Sequence, residues 1–209
     1  MAFPSTSVLT TFDGGDEDPL SEGGNWAGPT DLSGETAQLE IVSNQVTCNA
    51  AAIGSSHWLG GTYGPSCEVF ATIATIPGAA AKSVILSLRL ANIGTDTTDG
   101  YSALFQNAGP TDQAVVYRVD DGAITPLGTV IPMPELVNGD VCGARMLGNT
   151  VFLFKNGVGI GSRTDTTYTA AGRIGAAGTD DTYRLDSFGG GTCTVRPERV
   201  YTHYSQMRT

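Results

Sequence analysis

A pair of carboxylates is the simplest catalytic site to look for in this chain of 209 residues, because it carries 21 acidic side chains. A retaining glycosidase holds two carboxyl groups about 5 Å apart, which positions i and i+2 or i+4 of one strand can provide. No glutamate begins a Glu-x-Asp-x-Glu run, and Glu68 has Phe70 and Thr72 as same-face neighbours. Asp120 and Asp121 are adjacent, so they point to opposite faces or lie in a turn. The sequence therefore argues against a glycosidase.

Nucleophilic catalysis finds no support either. His57 and His203 are the only histidines, no Gly-x-Ser-x-Gly elbow is present, and His57 beside Trp58 is interpreted as a loop-packing residue. The cysteines are spaced unlike a zinc or Cys-x-x-Cys site. Free, partly buried thiols are expected in a chain made in the cytosol, with a Cys48–Cys67 disulfide as the alternative in an oxidising compartment. The four are Cys48, Cys67, Cys142 and Cys193.

Glycan binding requires aromatic rings that stack on sugar C–H surfaces, with polar side chains beside them for the hydroxyl groups. Trp58 and Tyr63 lie in a glycine-rich stretch and Tyr101 lies next to a loop, so these three are the candidate glycan-binding residues. For each of them, packing within the core or a loop is the alternative. Trp26 is interpreted as a plug for the end of the domain.

The charge distribution excludes some partners. A net charge of −10 argues against nucleic acid, because neutralising phosphates requires clustered Lys and Arg. No Lys or Arg precedes Lys82, and the acidic stretch around Asp16 is interpreted as a solvated loop. No apolar run approaches the length of about 20 residues needed to span a bilayer. The amino-terminal sequence lacks the features of a signal peptide, so we expect either no export by that route or a mature form.

Alternating apolar residues predict a chain made of strands. Residues 84–90 alternate most clearly, and residues 140–192 read as four or five short strands that end at a triple glycine. Ser43-Asn44, Asp121-Gly122 and Asn156-Gly157 are predicted as tight hairpin turns. Residues 13–31 and 53–64 are predicted as loops, the first folding back through Leu20 and Trp26. Other strands are predicted at residues 7–12, 37–43, 45–50, 67–76, 100–106, 113–120, 123–130, 172–176 and 183–188.

About thirteen strand candidates without an amphipathic helix predict an all-β protein built as an antiparallel sandwich. Residues 1–193 are assigned to the sandwich domain. Residues 194–209 carry Arg196, Arg199 and Arg208 against Glu198, and we expect a final strand or a docking arm there.

Several segments, in order, carry a family resemblance. They are TFDGGDEDPLSEGGNW, LEIVSNQV, YGPSCEVFATI, DGYSALF, YRVDDGAITPLG, NGDVCGARMLGNTVFLFKNG, RTDTTYTAAGRIGAAG and RLDSFGGGT. Over residues 9–192 the chain resembles the concanavalin A-like (laminin G/glucanase) jelly-roll superfamily, more narrowly the versions in tailed-phage virion proteins and bacterial surface proteins. The fold hosts lectins, hydrolases and interaction modules, so it does not fix the function.

The resemblance implies a two-sheet antiparallel jelly roll whose first and last strands pair, with a glycan on the concave sheet or its rim loops. It also implies a structural calcium ion near those strands, for which Asp13 and Asp186 are the candidate ligands. We expect a non-catalytic virion protein, a capsid decoration or minor tail component, made in the host cytoplasm. Its partners would be other virion proteins, further copies of itself and host-surface polysaccharide. The alternatives are a stand-alone lectin-like module and, third, a divergent glycoside hydrolase.

Overall fold

A computed structural model of the protein describes residues 2–76, 81–109 and 111–194. These residues form sixteen strands and contain no helix that could cross a membrane. The strands are β1 (Val8–Thr10), β2 (Trp26–Ala27), β3 (Glu35–Val42), β4 (Gln45–Cys48), β5 (Ile53–Trp58), β6 (Cys67–Thr75), β7 (Lys82–Ala91), β8 (Asp99–Asn107), β9 (Asp112–Asp120), β10 (Ala123–Pro126), β11 (Ile131–Met133), β12 (Val141–Leu147), β13 (Thr150–Lys155), β14 (Val158–Thr164), β15 (Arg173–Gly178) and β16 (Arg184–Thr192).

The strands form two sheets that share β3. Sheet A runs β3-β4-β16-β6-β12-β13-β14, with β1 beside the second half of β16. Sheet B runs β10-β9-β8-β7-β15-β5-β3, with β2 on β5 and β11 on β9. Among the described strands, every pairing except the parallel β3–β5 pair is antiparallel. The predicted jelly-roll sandwich is confirmed, including the pairing of the first and last strands.

The core lies between the sheets and follows the alternation in the sequence. On β7, Val84, Leu86 and Leu88 are buried in the main apolar cluster, and Ala103 and Phe105 join them from β8. This confirms the inward positions predicted for Val84, Leu86 and Leu88. Leu90 is buried outside that cluster, and Ser87 and Arg89, which were predicted to face outward, are buried as well. Burial of these apolar side chains stabilises the sandwich by about 25 cal/mol for each Å² removed from water.

The three predicted hairpin turns are also confirmed. Ser43-Asn44 joins β3 to β4, Asp121-Gly122 joins β9 to β10, and Asn156-Gly157 joins β13 to β14. Both residues of each pair have positive φ, between 49° and 77°. Such two-residue turns match the right-handed twist of paired strands, which is why Asn, Asp and Gly occupy them.

The prediction of a loop over residues 53–64 is wrong for its first half, which forms β5. Gly54 explains the difference, because a Cβ there would lie 2.8 Å from the Gln38 carbonyl oxygen. Glycine thus lets β3 approach β5 closely, and the small side chains of Ser55 and Ser56 pack where the sequence suggested exposure. Small residues of this kind resemble loop residues in a one-dimensional pattern.

Other strand boundaries also differ from the prediction: β1, β4 and β10 end earlier than expected, and β2 lies within the stretch predicted as a loop over residues 13–31. The triple glycine lies inside β16 instead of ending it. Glycine is accommodated in this strand because the Phe70 ring packs against Gly189, where a Cβ would overlap the ring. Pro132 lies inside β11 rather than between strands. Because β11 pairs with β9 on one side only, the missing amide hydrogen of Pro132 can be tolerated.

The predicted carboxy-terminal strand or arm, apart from Thr194, and His203 lie outside the described residues. The division into a sandwich and a terminal segment therefore stays a prediction.

The glycine under Phe70 gives a test of this packing. Gly189→Ala should destabilise the protein by about 1–3 kcal/mol, the usual cost of overpacking, measured by urea unfolding. Gly14→Ala is the matched control, because a Cβ there meets no atom within 4 Å. Equal stability of the two variants would contradict the close contact between Gly189 and the Phe70 ring.

Candidate functional site

The three predicted aromatic residues lie in different environments. Trp58 ends β5 with 8% of its surface exposed, and Tyr63 is half-buried and pairs with Gly172. Tyr101 is fully buried, and its hydroxyl donates to Asp165 Oδ1 at 2.8 Å. Tyr101 therefore offers no ring face to a glycan in this structure.

Trp58 lies in a pocket of about 490 Å³ at the edge of the sandwich, which we call the Trp58 pocket. The pocket lies between β1, the loop that follows it, β3 and the end of β5. Its lining is formed by Leu9, Thr10, Gly14, Gly15, Asp16, Glu17, Glu22, Gly23, Asn25, Ile41 and Trp58.

The loop over residues 13–25 forms one wall because it folds back onto β3, as predicted. Glu17 and Ile41 exchange backbone hydrogen bonds of 3.0 and 2.8 Å, and Leu20 N donates to Leu39 O at 2.7 Å. Leu20 and Trp26 are both buried, which confirms them as the apolar anchors of the loop. The wall therefore has a defined shape.

Two glutamates organise this wall. Glu22 accepts hydrogen bonds from Thr10 Oγ1 at 2.5 Å and from Trp26 Nε1 at 2.7 Å. Glu17 Oε2 accepts from the backbone amides of Glu22 at 2.6 Å and Ser21 at 3.0 Å. The Glu22 amide is the main reason that the pKa of Glu17 lies below its ordinary value. Glu17 is thus ionised at neutral pH, whereas a general acid needs a raised pKa.

The arrangement is suited to hydroxyl groups. Trp26 meets the Trp58 ring edge to face at 5.4 Å and fixes its orientation. The exposed side chains of Asp16 and Asn25 lie at the rim, and no described lining residue is Lys, Arg or His. Carboxylate and amide oxygens accept hydrogen bonds from sugar hydroxyls, and an aromatic ring contacts sugar C–H groups.

The sequence did not identify Asp16, Glu17, Glu22 or Asn25, since an acidic, glycine-rich stretch also describes a solvated loop. The one local indication of this wall is the spacing from Glu22 to Trp26. A carboxylate can accept a hydrogen bond from an indole N–H four residues away, as Glu22 does.

Glu68 is not the isolated carboxylate that the sequence suggested. It is fully buried on β6, and its Oε2 lies 2.5 Å from Arg145 Nη2. His57 is buried on β5, and burial, followed by the charge of Arg173, lowers its pKa to about 4. Neither residue lines the Trp58 pocket.

The cysteines are free and buried, as expected, and the alternative Cys48–Cys67 disulfide is not formed. Burial raises the pKa of the Cys48 thiol to about 11 and that of Cys142 to about 12. These thiols are protonated at neutral pH and are poor nucleophiles.

Both candidate calcium ligands are exposed. Asp13 is exposed and accepts from Thr11 Oγ1 at 2.6 Å, and Asp186 is exposed on β16. Ca²⁺ takes six to eight oxygen ligands. Across residues 2–76, 81–109 and 111–194, no group of three or more His, Cys, Asp or Glu side chains could hold a metal ion. Asp13 and Asp186 therefore belong to no such cluster of side chains, and calcium binding near them stays a prediction.

The fold has many relatives among solved structures. The legume lectin-like domain from Entamoeba histolytica has a TM-score of 0.53 at 12% identity, with 85% of this chain and 95% of that chain covered. The fold is that of lectin-like jelly-roll domains. The carbohydrate-binding module CBM66 from Bacillus subtilis has a TM-score of 0.51 at 12% identity and covers 77% and 91%. The VIP36 exoplasmic/lumenal domain, in its Ca²⁺/Man3GlcNAc-bound form, has a TM-score of 0.57 at 12% identity and covers 84% and 86%.

No protein-family model and no curated protein sequence matches the chain. At such low identities the structural relatives establish the fold and leave the ligand of this chain open. They agree with the concanavalin A-like resemblance and do not bear on the virion context expected from it.

The Glu22 contacts allow a test of the pocket wall. Glu22→Ala should destabilise the protein by about 1–3 kcal/mol, because the buried Trp26 N–H loses its acceptor. Urea unfolding followed by tryptophan fluorescence measures the effect. Asp13→Ala, at an exposed position on the same loop, should change stability far less. A loss of equal size in both variants would contradict the role assigned to Glu22.

Proposed function

We propose that the protein is a carbohydrate-binding module and that the Trp58 pocket is its glycan site. The lining of the pocket supports this proposal, since a fixed indole lies beside carboxylate and amide oxygens in a space of about 490 Å³. That volume lies within the usual range for small-molecule sites. The lectin-like fold is consistent with it, although the fold alone would not place the ligand.

The glycan would be bound without being cleaved. The lowered pKa of Glu17 makes that residue a poor proton donor, and both oxygens of Glu22 already accept hydrogen bonds from the protein. A divergent hydrolase would need a second, available carboxyl group with a raised pKa. Release of reducing sugar from a bound polysaccharide would count against the non-catalytic proposal.

The virion role implied by the family resemblance is a separate prediction, and so are its partners. A capsid decoration or minor tail protein could carry the same glycan site. Detection of the chain in purified virions, with the head or tail fraction identified, is the direct test of that prediction.

Glycan binding can be tested on an array of neutral and acidic oligosaccharides, followed by calorimetric titration of the best ligand. Trp58→Leu removes the aromatic ring but keeps an apolar side chain at this buried position, and Asn25→Ala alters an exposed rim residue. Each should weaken binding about tenfold or more, if one stacking or hydrogen-bonding contact worth about 1.4 kcal/mol is lost.

Asp186→Ala serves as the control because this exposed residue lies outside the lining of the pocket. Wild-type affinity in both Trp58→Leu and Asn25→Ala would place the glycan elsewhere. Absence of binding to every glycan by the folded wild-type protein would remove the proposed function itself.

A further inference from the structure

An amino-terminal segment packs on the outer face of sheet A, away from the Trp58 pocket. We call residues Ala2–Thr6 the arm, and we call the surface that receives it the socket. The socket is formed by Glu68, Phe70, Gly143, Arg145 and Phe154 on strands β6, β12 and β13. These residues lie more than 60 positions from the arm in sequence.

Four hydrogen bonds converge on one carboxylate oxygen of the socket. Glu68 Oε1 accepts from Ser5 N at 2.5 Å, Thr6 N at 2.6 Å, Thr6 Oγ1 at 2.8 Å and Ser5 Oγ at 3.1 Å. The other oxygen, Oε2, accepts from Arg145 Nε at 2.7 Å. Arg145 also donates from Nη2 to the Ala2 carbonyl oxygen at 2.9 Å. The buried ion pair therefore binds the arm through both of its members.

The apolar part of the contact is centred on Phe3, which is 6% exposed. Its ring stacks on Phe154 with 4.1 Å between centroids and meets the edge of Phe70 at 6.3 Å. The Arg145 guanidinium lies 5.2 Å from the centre of the Phe3 ring. Gly143 forms the floor, because a Cβ there would overlap the ring. The socket therefore recognises an aromatic side chain together with hydroxyl residues two and three positions after it.

The arm can leave the sandwich without opening its core. Phe3 packs on the outer face of sheet A, and the apolar cluster between the sheets begins at Phe12. Between the arm and β1, Ser7 O accepts from Gly190 N at 3.3 Å, and Val8, which pairs with Gly189, is 48% exposed.

The empty socket would be costly. Glu68 is fully buried, and within the described residues every hydrogen bond to its Oε1 comes from the arm. When the arm leaves, water reaches the carboxylate, but the Phe70 and Phe154 rings that Phe3 covered become exposed as well. A replacement arm would cover them again.

We propose that the arm is an exchangeable connector, and that the socket accepts the arm of a second copy of this chain. Exchange preserves every contact, because the second arm has the same sequence. At low protein concentration the socket binds its own chain's arm, since the short tether gives that arm an effective concentration on the order of millimolar. Exchange between copies is favoured where copies are crowded, as in an assembly or a concentrated solution.

A peptide experiment tests whether the socket binds an arm that is not tethered to it. A variant lacking residues 2–6 should bind the peptide AFPSTS saturably, as measured by calorimetric titration after its fold is checked by circular dichroism. The peptide with Ala in place of Phe3 should bind at least tenfold more weakly. If the folded variant binds neither peptide at millimolar concentration, the socket does not recognise a free arm and the proposal fails.

A mixing experiment tests exchange between chains. The arm-deleted variant has an intact, empty socket, and Phe154→Ala has an intact arm but a weakened socket. Light scattering should show a heterodimer when the two are mixed. Ile124→Ala is the control, since Ile124 is exposed on β10 of sheet B and is not a socket residue. It should form much less heterodimer.

Monomers in every mixture, with peptide binding intact, would show that the arm acts only within its own chain and would overturn the exchange. None of the residues deleted or substituted in these experiments lines the Trp58 pocket, so failure of exchange is distinguishable from failure of glycan binding.

The socket also predicts a dependence on pH. Burial opposes ionisation of Glu68, but hydrogen bonds from Thr6, Arg145 and Ser5 outweigh it and hold its pKa below the ordinary 4.5. The charged or titratable groups that interact with Glu68 are Arg145 and the Cys67 and Cys193 thiols. Because the folded pKa is lowered, the stabilisation is present above the unfolded pKa and is lost as the pH falls through the folded one.

Hydrogen exchange of the Ser5 and Thr6 amides should therefore become faster below about pH 4.5, once the intrinsic exchange rate is corrected for. In Glu68→Gln the protection should be weak at all pH values. Protection that is unchanged down to pH 2 would contradict the role of the carboxylate.

Discussion

Apolar burial between two sheets is the constraint on which the other features depend. Each strand contributes one face to the shared core, so its remaining side chains must lie on an outer face or at a rim. The Trp58 pocket forms at such a rim, where an acidic loop returns to β3. The socket for the arm forms on such an outer face, where Phe70 and Phe154 cannot point inward. Both sites are thus consequences of how the layers are filled.

Carboxylates illustrate how position decides the role of a residue type. Glu22 holds an indole N–H and a hydroxyl group together and gives the pocket its wall. Glu68 is deeply buried, where it is tolerated because Arg145 and four donors from the arm surround it. Neither is placed for acid catalysis, although a count of acidic residues would give them equal weight.

The sequence was most informative where local geometry decides the outcome. The alternation on β7 and the three turns with positive φ could be predicted, because a strand period of two and a left-handed pair are local properties. β5 and the glycines within β16 could not be predicted. Their small residues make room for a neighbouring strand or for the Phe70 ring, and these contacts are distant in sequence. The same limit applies to the site. The sequence singled out Trp58 as a candidate glycan-binding residue. It did not identify the loop residues that line the pocket beside Trp58, because no local pattern specifies their contacts with β3.

Strand β3 has a mechanical consequence, because it pairs with β5 in one layer and with β4 in the other. Two stacked sheets are otherwise held together by interdigitated side chains. Here a single covalent strand also carries hydrogen bonds to both layers, so shear between them would have to break one of its two ladders. The sandwich should therefore resist sliding as one block.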